Sequence, residues 1–136
     1  MTPWEILIQL KTTLAALPEI QSCRIGLEAN ITPDDYPLIR LVPTRLTPKD
    51  DVGDRPVLEL TVYFGVALLE AADGLETVYA GLLAREAAIR EAVLFGAAKA
   101  AWQVGERIAA RFVDTLFDED RLPHYKLMAS RFEVEG

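Results

Sequence analysis

The chain has 136 residues, and half of them are apolar, which is enough for one domain with a buried core. Acidic residues outnumber basic ones by 21 to 14, and the net charge is −7. Nucleic-acid-binding proteins concentrate Lys and Arg on one face, so this scattered and outnumbered positive charge argues against specific binding of DNA or RNA.

The chain carries a single cysteine, Cys23, which excludes an internal disulfide. It shows no basic start followed by an apolar secretory segment. Its longest apolar run, residues 58–69, is too short to span a bilayer and contains Glu59. We therefore expect a soluble protein that is made in a reducing compartment.

A helix signal opens the chain. Thr2 can cap a helix, Pro3 suits its first position, and Glu5 completes a capping box. Pro18 ends the helix. The apolar residues in this stretch recur at helical spacing: Ile6, Leu7, Leu10, Leu14 and Leu17.

Two short strands are predicted next. Residues 22–27 alternate between apolar and polar side chains, and Cys23 is expected there as a small buried residue rather than a reactive thiol. In the loop that follows, Thr32 can start a single helical turn. Residues 38–45 form the second strand, and Pro43 places it at a sheet edge or at a bulge because proline lacks an N–H group.

The strongest strand pattern lies at residues 56–69. The length of this run predicts the central strand, with Gly65 at a bend or bulge. The polar residues 46–55 before it predict the long tip of a hairpin, which is either a partner contact or a solvated connector. Every second residue of the strand is apolar: Leu58, Leu60, Val62, Phe64, Val66 and Leu68.

A long helix is predicted at residues 75–95. Glu86 and Arg90 are spaced to form an ion pair on its outer side. Gly96 either ends this helix or lies within one that continues to Trp102. The predicted apolar stripe comprises Leu75, Val78, Tyr79, Leu82, Leu83, Ile89 and Val93.

The last third of the chain is ambiguous. Residues 97–118 fit both a helical stripe and a strand, and we favour a strand at residues 112–118 that pairs in a hairpin with residues 125–135. One α+β domain, residues 1–136, is therefore predicted. It has a mainly antiparallel sheet of four to five strands, with two or three helices packed on one face.

The sequence contains no catalytic motif: there is no nucleophile elbow, phosphate loop or dinucleotide fingerprint. His124 is the only histidine, and its spacing from other ligand types does not indicate a metal site. The acidic pairs at 34–35 and 50–51 lack the spacing of a calcium loop. We expect no catalytic, cofactor or metal site, and a small enzyme or ligand-binding domain that uses His124 is the least favoured alternative.

Two tryptophans, Trp4 and Trp102, are either core residues or interface anchors. Trp102 ends an alanine-rich segment, residues 97–102, whose small side chains allow close packing of another element from this chain or from a neighbour. This segment and the edge strand at residues 38–45 are the candidate patches for contacts between copies.

Residues 26–45, GLEANITPDDYPLIRLVPTR, resemble the N-terminal half of phage and prophage tail terminator (tail-completion) proteins. The shared features are an acidic-Tyr-Pro step into an apolar strand, here Asp35-Tyr36-Pro37-Leu38-Ile39, followed by a long strand and a helix. A closing strand, Phe132-Glu133-Val134-Glu135, also matches.

This resemblance implies a non-enzymatic virion protein of the tail or neck, made in the bacterial host cytoplasm. It would form a ring, usually a hexamer, that ends tube polymerisation and contacts the tail tube protein and the head-side connector. DNA would pass through its acidic lumen without specific binding, and no membrane is involved. A head–tail stopper of the neck is the nearest alternative. The hairpin tip matches a protruding loop that contacts neighbouring rings, so the candidate interface residues are Arg45, Lys49, Asp50, Asp51, Asp54, Arg55 and Trp102.

Overall fold

A five-stranded mixed sheet forms the centre of the fold, with strand order β1-β2-β3-β5-β4. The computed structural model describes residues 1–48, 56–68, 74–119 and 124–136. Strands β1 and β2 are parallel, and all other neighbours are antiparallel, which confirms the predicted α+β class. The strands are β1 (Ser22–Ile25), β2 (Leu38–Pro48), β3 (Pro56–Ala67), β4 (Ala109–Phe117) and β5 (Tyr125–Glu135).

Two helices pack on one face of this sheet. The first, α1 (Pro3–Ala15), starts with the predicted capping box: the Glu5 N–H donates to the Thr2 hydroxyl at 3.2 Å, and the Thr2 N–H donates to the Glu5 carboxylate at 3.0 Å. The second consists of α2 (Gly74–Glu91), a π-helical turn (Ala92–Gly96) and α3 (Ala97–Gln103). Gly96 therefore lies inside a continuing helix, as one of the two predicted alternatives had it. No described helix has the length and apolar character needed to cross a membrane.

The core lies between the helices and the alternating apolar residues of β3 and β5. In both strands the buried apolar residues occupy alternate positions and point to the face that the helices cover, which confirms the predicted period-two pattern. The buried residues include Leu58, Leu60, Val62 and Phe64 of β3, Met128, Phe132 and Val134 of β5, Ile39 and Leu41 of β2, Ile6, Leu7, Leu10 and Leu14 of α1, and Leu82, Ile89 and Val93 of the second helix.

The predicted stripe of the second helix was wrong at two positions, Leu75 and Leu83, which are exposed. The face that packs on the sheet is set by Leu82, Glu86 and Ile89, and Leu83 is rotated from it by about 100°. Glu86 was expected on the outside of the helix, yet it is buried. Its partner Arg90 is the predicted one, with Nη2 at 3.3 Å from Oε2.

The central strand and the last hairpin follow the sequence closely. Strand β3 lies in the middle of the sheet, and the favoured strand at residues 112–118 is confirmed as β4. The pairing of β2 with β3 shifts between Pro43 and Arg45, as predicted for a bulge at this proline. The register of β3 continues without a shift at Gly65 on both sides, so the bulge predicted there was wrong.

Candidate interaction surfaces

Only two of the predicted interface residues, Arg45 and Trp102, lie in the described part of the chain. Lys49, Asp50, Asp51, Asp54 and Arg55 of the hairpin tip lie outside the described residues. Arg45 belongs to β2, where its Nε is 3.3 Å from Oε2 of Glu59 on β3. Trp102 lies in the last turn of α3 and is 78 % exposed.

The two helices bring both tryptophans to one end of the molecule. The amino group of Met1 lies 3.6 Å from Oε2 of Glu106, so the start of α1 is next to the turn that follows α3. Trp4, in the first turn of α1, is 60 % exposed. Val104, in the turn that follows α3, is also exposed. Aromatic side chains with so much free surface are typical of interface anchors.

The last residues of β2 and the first residues of β3 lie at the same end of the molecule. A Cβ atom placed on Gly136 would lie 2.8 Å from the carbonyl oxygen of Met1, so the end of β5 adjoins the start of α1. Leu58 of β3 pairs with Val134 of β5, and β2 continues to Pro48. We call this region the end surface, and it comprises the exposed residues Trp4, Leu46, Pro48, Trp102 and Val104.

The alanine-rich segment serves the protein's own core. Ala97 and Ala101 are fully buried, and a Cβ on Gly96 would lie 3.2 Å from Cγ2 of Thr13 on α1. The small side chains therefore let α1 approach the second helix closely. Of the two alternatives for residues 97–102, close packing within this chain is confirmed at Ala97 and Ala101, and contact with a neighbour stays a prediction.

The free edges of the sheet differ from those predicted. Residues 38–41 of β2 are paired with β1 on one side and with β3 on the other, so only residues 42–48 of β2 form an edge. On the opposite side of the sheet, β4 pairs only with β5. The exposed large apolar residues of the described strands all lie at these two edges: Leu46, Val113 and Leu116.

Charged side chains cross the sheet on the face that points away from the helices. Arg45 of β2 pairs with Glu59 of β3, and Arg131 of β5 donates from Nε to Oδ1 of Asp114 of β4 at 2.6 Å. We call these four residues the charged row. The hydrogen bond from Arg131 holds the pKa of Asp114 below its usual value. That hydrogen bond also raises the pKa of Arg131, and the charge of Glu59 adds to the rise.

Sequence reasoning missed this row because its members are contributed by four strands. The sequence did contain one signal, the polar residues that alternate with buried ones in β3 and β5. Glu59 follows the buried Leu58, and Arg131 follows the buried Ser130. A second pair on the same face, Arg111 with Glu133 at 2.7 Å, extends the polar surface along β4.

The segment after β1 covers the other half of this face. The fully buried Arg40 donates from Nε to Oε1 of Glu28 at 2.6 Å, and the rings of Tyr36 and Tyr125 stack with centroids 4.7 Å apart. Thr32 starts the predicted single turn, and its backbone N–H bond lowers the pKa of Asp35. The segment that carries Glu28 and Tyr36 is therefore fixed onto the sheet.

The described side chains that could take part in catalysis or metal binding do not form a cluster. His124 is exposed where β5 begins. Cys23 is half-buried, and burial raises the pKa of its thiol to about 11, which agrees with the expected unreactive role. Among residues 1–48, 56–68, 74–119 and 124–136, no group of three or more His, Cys, Asp or Glu side chains could hold a metal ion.

No protein-family model matches the chain, and no curated protein shows significant similarity to it.

Proposed function

We propose that this protein is a tail terminator. In this role it forms a ring at the head-proximal end of a phage tail tube, ends tube polymerisation and joins the tail to the head-side connector. The observation that supports this most is the end surface, where exposed Trp4 and Trp102 lie at the same end of the molecule as Leu46 and Pro48 of β2. A protein that stops a growing tube needs an exposed surface that can contact the end of the tube.

The physical reason lies in the cost of exposed aromatic side chains. The protein already buries a continuous core, yet Trp102 leaves most of its surface in water. Burying one such ring removes roughly 150–250 Å² of surface from water, and tryptophan is among the residues that dominate binding energy at interfaces. The net charge of −7 per copy suits a lumen through which DNA slides without being held.

The proposal is tested with purified protein and the tube protein encoded in the same phage or prophage genome. Native mass spectrometry measures the number of copies in the assembly, and electron microscopy measures tube length with and without the protein. We expect a ring, and we expect tubes that stop growing when the protein is added. Trp102→Ala should weaken tube binding about tenfold or more and leave the ring intact.

Leu83→Ala is the matched control, because Leu83 is also an exposed apolar side chain but lies on α2, outside the end surface. It should cap tubes as the parent protein does. A protein that stays monomeric at high concentration and leaves tube growth unchanged would exclude a terminator. Binding to the head-side connector without any effect on tubes would assign it instead to the neck as a stopper.

A further inference from the structure

A groove between α1 and the second helix opens to solvent. Its volume is about 450 Å³. A cavity of about 150 Å³ already holds a benzene ring, so this groove has room for an aromatic side chain. Small residues from both helices line it: Ala16 at the end of α1, and Ala88, Ala92 and Gly96 of the second helix.

Phe95 lies on the wall of this groove and is left exposed by its own chain. Its exposed fraction is 67 %, and it belongs to the π-helical turn of the second helix. Single π-helical turns inside α-helices occur frequently at functional sites. The molecule therefore presents an exposed aromatic ring directly beside a hollow that is lined by small side chains.

The charges beside Phe95 are arranged so that a second copy can match them. Glu91 lies four residues before Phe95 and Lys99 lies four residues after it, and both are exposed residues that line the groove. Within the described part of the chain, neither charge forms an ion pair. When two such helices cross in opposite directions about a twofold axis at Phe95, Glu91 of each copy faces Lys99 of the other. The surface is therefore complementary to itself.

We propose that two copies of this chain pair through this groove. Phe95 of each copy is seated in the groove of the other, and Glu91 of each copy forms an ion pair with Lys99 of the other. The same patch serves both copies, so the contact is isologous. None of these residues belongs to the end surface, so the pairing goes beyond the proposed function and does not depend on it.

The size of the contact predicts a weak dimer. Helix α1 has 13 residues and is therefore about 20 Å long, and two neighbouring helices are about 20 Å wide. The shared face then covers roughly 400 Å² per copy, which is the size of a transient interface rather than a permanent one. We expect a Kd of about 10–100 µM. The Kd should rise with salt, because exposed charges contribute to the contact.

Sedimentation velocity of the full-length protein, at concentrations up to about 500 µM, measures the association. Phe95→Ala should weaken it about tenfold or more, because each dimer loses two seated rings. Leu83→Ala is the matched control, since Leu83 is also an exposed apolar residue of the second helix but does not line the groove. It should associate as the parent does. Circular dichroism confirms that each variant is folded.

Charge reversal tests the twofold arrangement itself. Glu91→Lys alone brings positive charges together and Lys99→Glu alone brings negative charges together, so each should dimerise about tenfold more weakly. The double variant Glu91→Lys/Lys99→Glu should recover, because both pairs again join opposite charges. An equal mixture of the two single variants should form heterodimers for the same reason. Glu76→Lys is the control, because Glu76 is exposed on α2 about 22 Å from Glu91 along the helix.

Loss of association in Phe95→Ala together with recovery in the double variant supports the proposal. A parent that is monomeric at about 500 µM, a dimer that Phe95→Ala leaves unchanged, or a folded double variant that does not recover overturns it. If the parent forms a ring, the twofold contact joins two rings, and Phe95→Ala should halve the copy number in native mass spectrometry. A ring of unchanged copy number overturns the pairing and leaves the proposed function intact. Pairing without any effect on tubes overturns the proposed function alone.

Discussion

The ring of Tyr36 lies directly against the backbone of Gly65 on the central strand. A Cβ atom at position 65 would sit 2.9 Å from Cε1 of Tyr36 and 2.6 Å from Cδ2 of Leu127. Contacts this short do not occur between a methyl group and its neighbours, so the glycine is required for the close approach of the segment that carries Tyr36. Tyr36 in turn stacks on Tyr125 of β5, which holds this segment on the sheet.

Gly65→Ala should therefore destabilise the protein. The added methyl group forces Tyr36 and Leu127 to move, and overpacking of this kind costs about 1–3 kcal/mol of the free energy of unfolding. Urea denaturation measures the change. Gly81→Ala is the control, because nothing lies within 4 Å of a Cβ there and the residue is in the exposed part of α2. That variant should be more stable by about 0.5–1 kcal/mol, and equal stability of the two variants would contradict the packing role of Gly65.

The ion pair between Arg40 and Glu28 should respond unequally to the loss of each partner. Arg40 is fully buried, whereas Glu28 keeps 30 % of its side chain exposed, and their Nε–Oε1 distance is 2.6 Å. Arg40 also donates from Nη1 to Oγ of Ser22 at 3.0 Å, and its Nη2 has no hydrogen-bond partner among the described residues. Glu28→Gln leaves a buried guanidinium without a counter-charge, and we expect a loss of about 3 kcal/mol in the free energy of unfolding.

Arg40→Met is the informative comparison, since it leaves a carboxylate that water can reach and replaces the guanidinium by an apolar side chain of similar length. We expect this variant to lose less stability than Glu28→Gln in the same urea titration. A larger loss for Arg40→Met would mean that the hydrogen bonds of Arg40 to Ser22 and to the Ile39 carbonyl outweigh the uncompensated charge.

Patterns within one element predicted the fold well, and relations between elements were harder to infer. The capping box at Thr2 and Glu5 is a local signal, and the alternation in β3 reports one buried face, so both features followed from sequence. Gly65 was assigned to a bend or bulge because the sequence does not show that Tyr36 lies over it. Glu86 was assigned to the outer side of its helix because its spacing to Arg90 is the same for a buried pair and an exposed one.

Substitution of Glu86 should reduce stability more than substitution of Glu91, which lies on the same helix. Its carboxylate accepts a hydrogen bond from the Thr115 hydroxyl at 3.3 Å, and Thr115 in turn lies 2.8 Å from Oγ of the fully buried Ser130. Glu86→Ala leaves Thr115 and Ser130 short of a partner, and this should cost about 1–3 kcal/mol in a thermal or urea melt. Glu91→Ala, at an exposed position of the same helix, should change stability by less than about 0.5 kcal/mol. Similar effects of the two variants would show that the network contributes nothing.

The candidate interaction surfaces were predictable only in part, because they too depend on how separate elements are placed. Trp102, next to a glycine- and alanine-rich segment, was predicted to be either a core residue or an interface anchor, and its exposure excludes the core. The charged row was not identified, because its two ion pairs, Arg45 with Glu59 and Asp114 with Arg131, form only once the strands that carry them are paired. The paired residues are more than ten positions apart along the chain, so no periodic pattern within one element links them.

Cys23 provides a test of the fold that depends on pH. Burial raises the pKa of its thiol from 9.0 to about 11, although Lys11 and Arg40 oppose the rise. At about pH 8, roughly one thiol in a thousand is then ionised in the folded protein and about one in ten in the unfolded chain, so alkylation by iodoacetamide should be roughly a hundredfold slower in the folded state. Mass spectrometry of timed samples with and without urea measures both rates.

The same shift makes stability depend on pH in a defined window. Between pH 9 and about pH 11 the unfolded chain loses the thiol proton before the folded protein does, so stability falls as pH rises through this range. Cys23→Ala removes the titrating thiol, and its urea midpoint should therefore fall less over that range than the parent's. Identical pH profiles for the two proteins, together with rapid alkylation of the folded parent, would mean that the Cys23 thiol is open to solvent at the junction of α1 and β1.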